Sequence, residues 1–414
     1  MPHSQDSILA RYGVSSKNGF LPESVPMQAL QDPYYEPWEA LATNLPESIK
    51  AKTIRSAVDG MPVLSTTHLH DEDAWRRAYT VLGFLAHAYI WGGDKPSEKL
   101  PPSITRPFLE VSFHLELPPC ATFACLCLWN YAVKPGDGDI TNPDNLRAVT
   151  SFTGTKDEEW FYMVSVAIEA AGAKLVPLMM DAIDAVAVND GPRVAGLLTK
   201  FAAEIDDIAL ILARMDQKCS PAAFYHQLRP FLAGSKNMAS AGLPKGVFYD
   251  HGAGTGEWHE YYGGSNAQSS LIQTFDIFLG VEHTETGGGY LHNMRFYMPG
   301  PHRRFLELLT KLTNIRAYVL AHEEHSGLRT SYNAAAMSLS RLRNTHMQLV
   351  ARYIIVASKS KPAGDDSGRV NIATATSKKS DPDRDEFQGT GGTSLMPFLK
   401  QTRDATRECA TAKK

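Results

Sequence analysis

The sequence predicts a mainly α protein: a large all-helical domain over residues 153–414 behind a smaller mixed or irregular N-terminal domain over residues 1–152. Three observations predict it. From Lys156 onward, apolar residues recur almost everywhere at the three-and-four spacing of one helical face. That half shows little of the two-residue alternation of a half-buried strand, and no internal repeat. The N-terminal part is instead rich in proline and aromatics, as in LPESVPMQALQDPYYEPWEAL, with short apolar pieces.

One clear helix is expected in the N-terminal part. It starts near Thr67, carries Trp75, Ala78, Leu82, Ala86 and Tyr89 on one face, and stops at Gly92-Gly93. Further on, Pro192 follows an Asn189-Asp190-Gly191 turn and suits a first helical position. Val194, Leu197, Leu198, Phe201, Ile205, Ile208 and Leu212 then form a long apolar stripe. Residues 359–388 are polar and nearly free of large apolar groups, which predicts a mobile loop, 359–393 with the GTGGT that follows. A last short helix carries Leu395, Phe398 and Leu399.

Composition removes several classes of function. A net charge of −4 and a pI near 6.4 argue against a nucleic-acid binder, which would show a basic stripe. The five cysteines lack paired C-x-x-C spacing, so buried free thiols in a reducing compartment are expected. The N-terminus has no apolar signal region, and no apolar run of about 18 residues stands out. The expectation is a cytoplasmic protein with no membrane partner.

Three motifs imitate functional sites. HEEH, His322 to His325, lacks the spacing of H-E-x-x-H and reads as a solvated helix end. His68 and His70 of HLH diverge at a helix start and read as surface. GTGGT has neither the Lys-Ser/Thr of a phosphate loop nor a preceding strand; its glycines suit a hinge or lid.

Other positions carry more chemistry. His346 falls in series with Leu339, Leu342, Leu349 and Tyr353, one helical face, while Arg341, Arg343 and Arg352 point elsewhere. An unpaired imidazole there costs roughly 1–3 kcal/mol, so it needs a hydrogen bond or a metal. On position alone the ordinary reading is a hydrogen-bonded core histidine. Phe161 and Ser165 lie one turn apart on another helix, as plain core or as the wall of a flat-ligand pocket. Ser220 and Pro221 open a helix that carries Phe224, Tyr225 and Arg229 before Pro230 interrupts it. Arginine beside aromatics at a helix break suits a carboxylate, although surface ion pairs are its commoner use. In YYGGSNAQSSLIQTFDIFLG, Asp276 sits among Leu271, Phe275 and Phe278 and requires a partner.

Taken together, LELPP (115–119), GGSNAQSSLIQTFDIFLG (263–280), YMPGPHRRFL (297–306), RNTHMQLVARYI and GTGGT resemble the indoleamine 2,3-dioxygenase family, in family order over most of the chain. The resemblance implies a haem enzyme whose large helical domain holds haem b. It implies oxidation of L-tryptophan with O2 to N-formylkynurenine, the first step of the kynurenine pathway. A reductant is then needed only to reach the ferrous state, and a monomer is expected. His346 becomes the proximal iron ligand, with a second acceptor expected on its other nitrogen. Arg343 lies near a propionate with Asp276 as its partner. Phe161 and Phe224 hold the indole, Ser165 is the distal hydroxyl, and Arg229 receives the substrate carboxylate. Ser265 lies on the distal loop, and Thr390 on the closing loop.

No acid–base residue is implied. Phe123 stands where vertebrate members have tyrosine, Asn266 where they have alanine, and Pro230 where they have an apolar residue. The alternatives are a relative of the same fold that mainly binds O2, and a structural or zinc protein in which His346 is core.

Overall fold

The structure, a computed structural model, describes residues 5–136, 138–283, 285–322, 326–359, 387 and 395–411. Thr390, the rest of GTGGT and nearly all of the loop expected over 359–393 lie outside the described residues, as do Glu323, Glu324 and His325 of HEEH.

Helix α1, Glu72–Trp91, begins later than the expected start near Thr67. Thr66–His68 forms its own tight turn, and Asp71 caps α1 by accepting from the Ala74 N–H at 2.8 Å. His68 and His70 are both exposed. At the other end α1 stops at Gly92, where a Cβ would collide with the Ala88 carbonyl. Helix α2, Pro102–His114, follows the two-residue strand β1, Lys99–Leu100. Strands β2, Tyr131–Val133, and β3, Leu146–Ala148, pair antiparallel.

Thr155 caps α3, Lys156–Gly172, and the buried Glu158 folds back to accept from the Phe152 and Thr153 N–H groups. Helix α4, Leu175–Ala187, follows directly. The stretch Lys156–Ala187 is apolar and long enough to cross a bilayer, more so than the sequence reading allowed. It is two core helices, with 78% of its most apolar window buried. Helix α5, Gly191–Ala213, starts as expected: Asp190 caps it and Pro192 fills its first turn.

The C-terminal half is not wholly helical. Strands β4, Val247–Gly252, and β5, Thr255–His259, form a hairpin, and β4 pairs in parallel with β1. The pattern was hidden because β5 is largely exposed and Gly252, Gly254 and Gly256 interrupt the hairpin, so alternation is weak. Next come α6, Ser270–Leu279; α7, Glu285–Met294; α8, Gly300–Leu312; and the long α9, Ser326–Val350. Helix α10, Leu395–Thr411, is longer than the short helix expected. Its face toward α9 is polar in places: Thr402 and Thr406 are buried and meet Arg343, so apolar spacing alone missed its extent. One connected core runs from Leu9 to Ala410, and all five cysteines are buried and free.

His87 of α1 ties this core to two distant segments. The Ala121 N–H donates to its Nε2 at 3.0 Å, so Nδ1 carries the proton and donates to the Phe231 carbonyl at 2.7 Å. Burial pushes its pKa from 6.5 down to about 4. The unfolded chain therefore takes up a proton that the folded one refuses, and this stability, full above pH 6.5, drains away as pH falls toward 4. A shift of that size corresponds to roughly 3 kcal/mol. His87→Gln keeps a donor and an acceptor but does not titrate. Urea unfolding from pH 7 to about pH 4 should show a shallower acid loss of stability in the variant, by up to one proton of linkage.

Candidate functional site

A cavity of about 1940 Å³, its open mouth included, is bordered by α3, α6, α9 and α10. It brings together Phe123, Phe161, Ser165, Phe224 and Arg229 with Ser265, Asn266, Asp276, Arg343 and His346. Of the site residues that the resemblance implies, Thr390 alone lies outside the described residues.

Helix α9 supplies one wall through Leu339, Leu342, His346 and Leu349, the apolar face seen in the sequence; Arg343, expected to point elsewhere, borders the cavity as well. His346 is partly exposed, toward the cavity, and its imidazole has no hydrogen bond among the described residues. The expected second acceptor is thus not found among them. Desolvation, helped by the positive charge of Arg343, pushes its pKa down to about 4, so the ring is neutral at pH 7. A neutral imidazole held on a rigid apolar face offers a nitrogen lone pair to a metal.

Arg343, one turn earlier, is engaged through both of its Nη atoms. Its Nη2 donates to both Asp276 oxygens at 2.6 Å, and its Nη1 donates to the Thr402 carbonyl at 3.2 Å and to the Thr406 hydroxyl. Burial alone would raise the Asp276 pKa, but Arg343 and His283, at 3.0 Å, outweigh it and hold the carboxyl below its usual range. The pair joins α9, α6 and α10.

The remaining walls come from irregular helix. Three π-turns, Ala124–Leu128, Phe224–Leu228 and Ala351–Val356, each place residues on the cavity: Leu126 and Cys127, Phe224, and Tyr353 with Ile354. Such widened turns recur at functional sites. Pro230 does not break its helix; the π-turn before it absorbs the ring, and the helix runs on through Arg229–Leu232. Arg229 is therefore 0% exposed, its guanidinium over the Tyr225 ring at 5.9 Å. Burial pushes its pKa down to about 10, which still leaves it cationic at pH 7.

Phe161 and Phe224 face one another with ring centroids 4.8 Å apart, tilted by 42°. The Ser165 hydroxyl donates back to the Phe161 carbonyl at 3.3 Å. Ser265 caps the short turn Asn266–Gln268, and Asn266 is exposed. Gly263 and Gly264 bring this loop against the Leu232 carbonyl and the Leu126 side chain, closer than any Cβ allows. Gln268 accepts from the Phe123 N–H at 2.9 Å and donates to the Gly263 carbonyl at 2.8 Å, locking two walls together.

Sequence reasoning missed Cys127, Glu169 and Gln273 as cavity residues. Glu169 left a usable signal, an acidic residue one turn beyond Ser165 in an otherwise apolar run. Cys127 left none, because a π-turn shifts the face that a regular helix would show, whereas Tyr353 lies on the cavity as its spacing from His346 predicts.

Fold and cavity define a helical protein whose mostly apolar cavity carries one imidazole, His346, and one fully buried guanidinium, Arg229. The residues fit haem: the His346 imidazole has no hydrogen bond among the described residues, and the walls are largely apolar. Residues 8–409 match the family model described as indoleamine 2,3-dioxygenase. The chain is 46% identical to the indoleamine 2,3-dioxygenase qulI of Penicillium citrinum, over 98% of this chain and 89% of that protein. It is 39% identical to the indoleamine 2,3-dioxygenase of Saccharomyces cerevisiae, over 98% and 94%. It is also 39% identical to the 6-hydroxytryptophan 2,3-dioxygenase fscD of Fusarium equiseti, over 98% of each. The chain belongs to the indoleamine 2,3-dioxygenase family of haem-dependent oxidoreductases.

Asp276→Ala should leave the buried Arg343 charge uncompensated and cost about 3–5 kcal/mol in urea unfolding. The double variant Asp276→Ala/Arg343→Met should recover much of the loss, and the cycle gives the coupling directly.

Proposed function

We propose that this enzyme cleaves the indole C2–C3 bond of L-tryptophan with O2 to give N-formylkynurenine, using haem b bound through His346. The observation that carries the reading is the pairing, in one cavity, of a neutral unclaimed imidazole with a fully buried cationic arginine. When bound, ferrous haem supplies the activation of O2. The chain's own contribution is to orient the substrate and exclude water.

Phe161 and Phe224 present an aromatic wall for the indole, and Arg229 receives the carboxylate in a charge-assisted hydrogen bond. Ser165 spends its proton on its own helix, in keeping with a reaction that asks no acid–base residue of the protein. Both oxygen atoms enter the product, so reductant serves only to keep the iron ferrous. The buried free thiols support a cytoplasmic, reducing setting. The buried arginine favours catalysis on an amino acid over the alternative of O2 carriage, which needs no carboxylate receptor.

His346→Ala should lose stable haem, read as loss of the Soret band, while far-UV circular dichroism stays helical. Full haem content and turnover in this variant would defeat the axial assignment. Arg229→Met should raise the KM for L-tryptophan about ten- to a hundredfold with haem content unchanged. Tryptamine, which lacks the carboxylate, should be a poor substrate already and lose far less in the variant. Equal proportional losses for both would mean that Arg229 supports the wall and does not read the carboxylate.

A further inference from the structure

Glu169 borders the cavity, and the reading above gives it no task. It lies on α3 one turn beyond Ser165 and is 1% exposed. Its Oε1 accepts from the Ser269 hydroxyl at 2.5 Å, and that hydroxyl accepts from the Ile272 N–H at 3.2 Å as the N-cap of α6. Its Oε2 has no hydrogen-bond partner among the described residues. No lysine, arginine or histidine among them pairs with it.

A buried carboxylate with one neutral hydrogen bond and no cation is costly, and taking up a proton relieves the cost. Burial pushes its pKa up to about 7, against the opposing pull of Ser269. The Cys127 thiol, on the π-turn packed against α3, interacts with it and is itself kept protonated by burial. The other charged or titratable groups bordering the cavity from neighbouring elements are Arg229, Asp276, Arg343, His346, Tyr290 and Tyr353. Asp276 and Arg343 neutralise one another, which leaves the state of Glu169 to its own burial.

We propose that Glu169 is a proton-dependent hydrogen-bonding switch in the cavity wall. Neutral, its Oε2–H donates to a carboxylate bound in the cavity; ionised, the same oxygen only accepts and repels that carboxylate. The carboxylate belongs either to the amino-acid substrate or to a propionate of the prosthetic group. The inference deepens the proposed function and, for its substrate arm, rests on it.

Infrared spectroscopy of the holoenzyme tests the proton directly. The carbonyl stretch of a protonated carboxyl should titrate away with a midpoint near pH 7 and be missing in Glu169→Gln. Ser269→Ala should move that midpoint upward, since the serine favours the ionised form. Glutamine donates at every pH, so Glu169→Gln should hold the tight-binding limb throughout.

The two sources separate in parallel measurements across the same pH range. An about tenfold rise in wild-type KM with increasing pH, flattened in Glu169→Gln, assigns the substrate carboxylate. An equivalent rise in the rate of haem transfer to apomyoglobin, flattened likewise, assigns a propionate. If no Glu169-dependent carboxyl band titrates, or if neither profile differs between wild type and Glu169→Gln, the switch is overturned. Absence of any tryptophan turnover would instead sink the proposed substrate, with the infrared and haem-transfer arms still deciding the switch.

Discussion

The buried contact between Arg343 and Asp276 organises the cavity. Both side chains are nearly excluded from solvent, where an unmatched charge costs several kcal/mol, so neither is tolerable without the other. The pair joins α9 to α6, and Nη1 of the guanidinium reaches the Thr402 carbonyl and Thr406 hydroxyl of α10. Three helices from distant parts of the chain are thereby fixed one turn from His346. The same positive charge helps keep that imidazole neutral, the state in which a ring nitrogen can bind a metal. One ion pair thus serves both the frame of the site and its chemistry.

Around this frame the walls are held by polar groups that reach the backbone. Gln268 locks the Phe123 segment to the glycine loop, and His87 locks the Ala121 and Phe231 segments through opposite ring nitrogens. The Tyr79 hydroxyl donates to the Pro118 and Cys120 carbonyls, and Tyr249 to Pro119, so the LELPP strap is clamped from two sides. These contacts satisfy carbonyls that non-helical backbone would otherwise leave buried and unpaired. The cavity can therefore be large without its walls falling inward. Its aromatic pair, Phe161 and Phe224, sits on helices pinned in this way.

Much of the fold was legible because helices repeat every 3.6 residues. The α5 stripe, the stop of α1 at Gly92 and the cavity-facing series through His346 could all be read from spacing, as could the need of Asp276 for a partner. The hairpin Val247–His259 was not legible, since its second strand is largely exposed and glycines interrupt its turn, which leaves little alternation. The length of α10 was hidden by buried threonines that serve Arg343 and read as polar surface.

By itself the sequence determined the helical class, the family motifs and the apolar face that carries His346, because each depends on residues near one another in the chain. Only the tertiary structure decided the burial of Arg229 behind a π-turn that absorbs Pro230, and the projection of Cys127 into the cavity. It also decided the isolation of the Glu169 carboxyl with Ser269 as its neighbour. A π-turn shifts the helical face by one residue, and a buried charge takes its character from segments far along the chain. Neither effect leaves a periodic mark in the sequence.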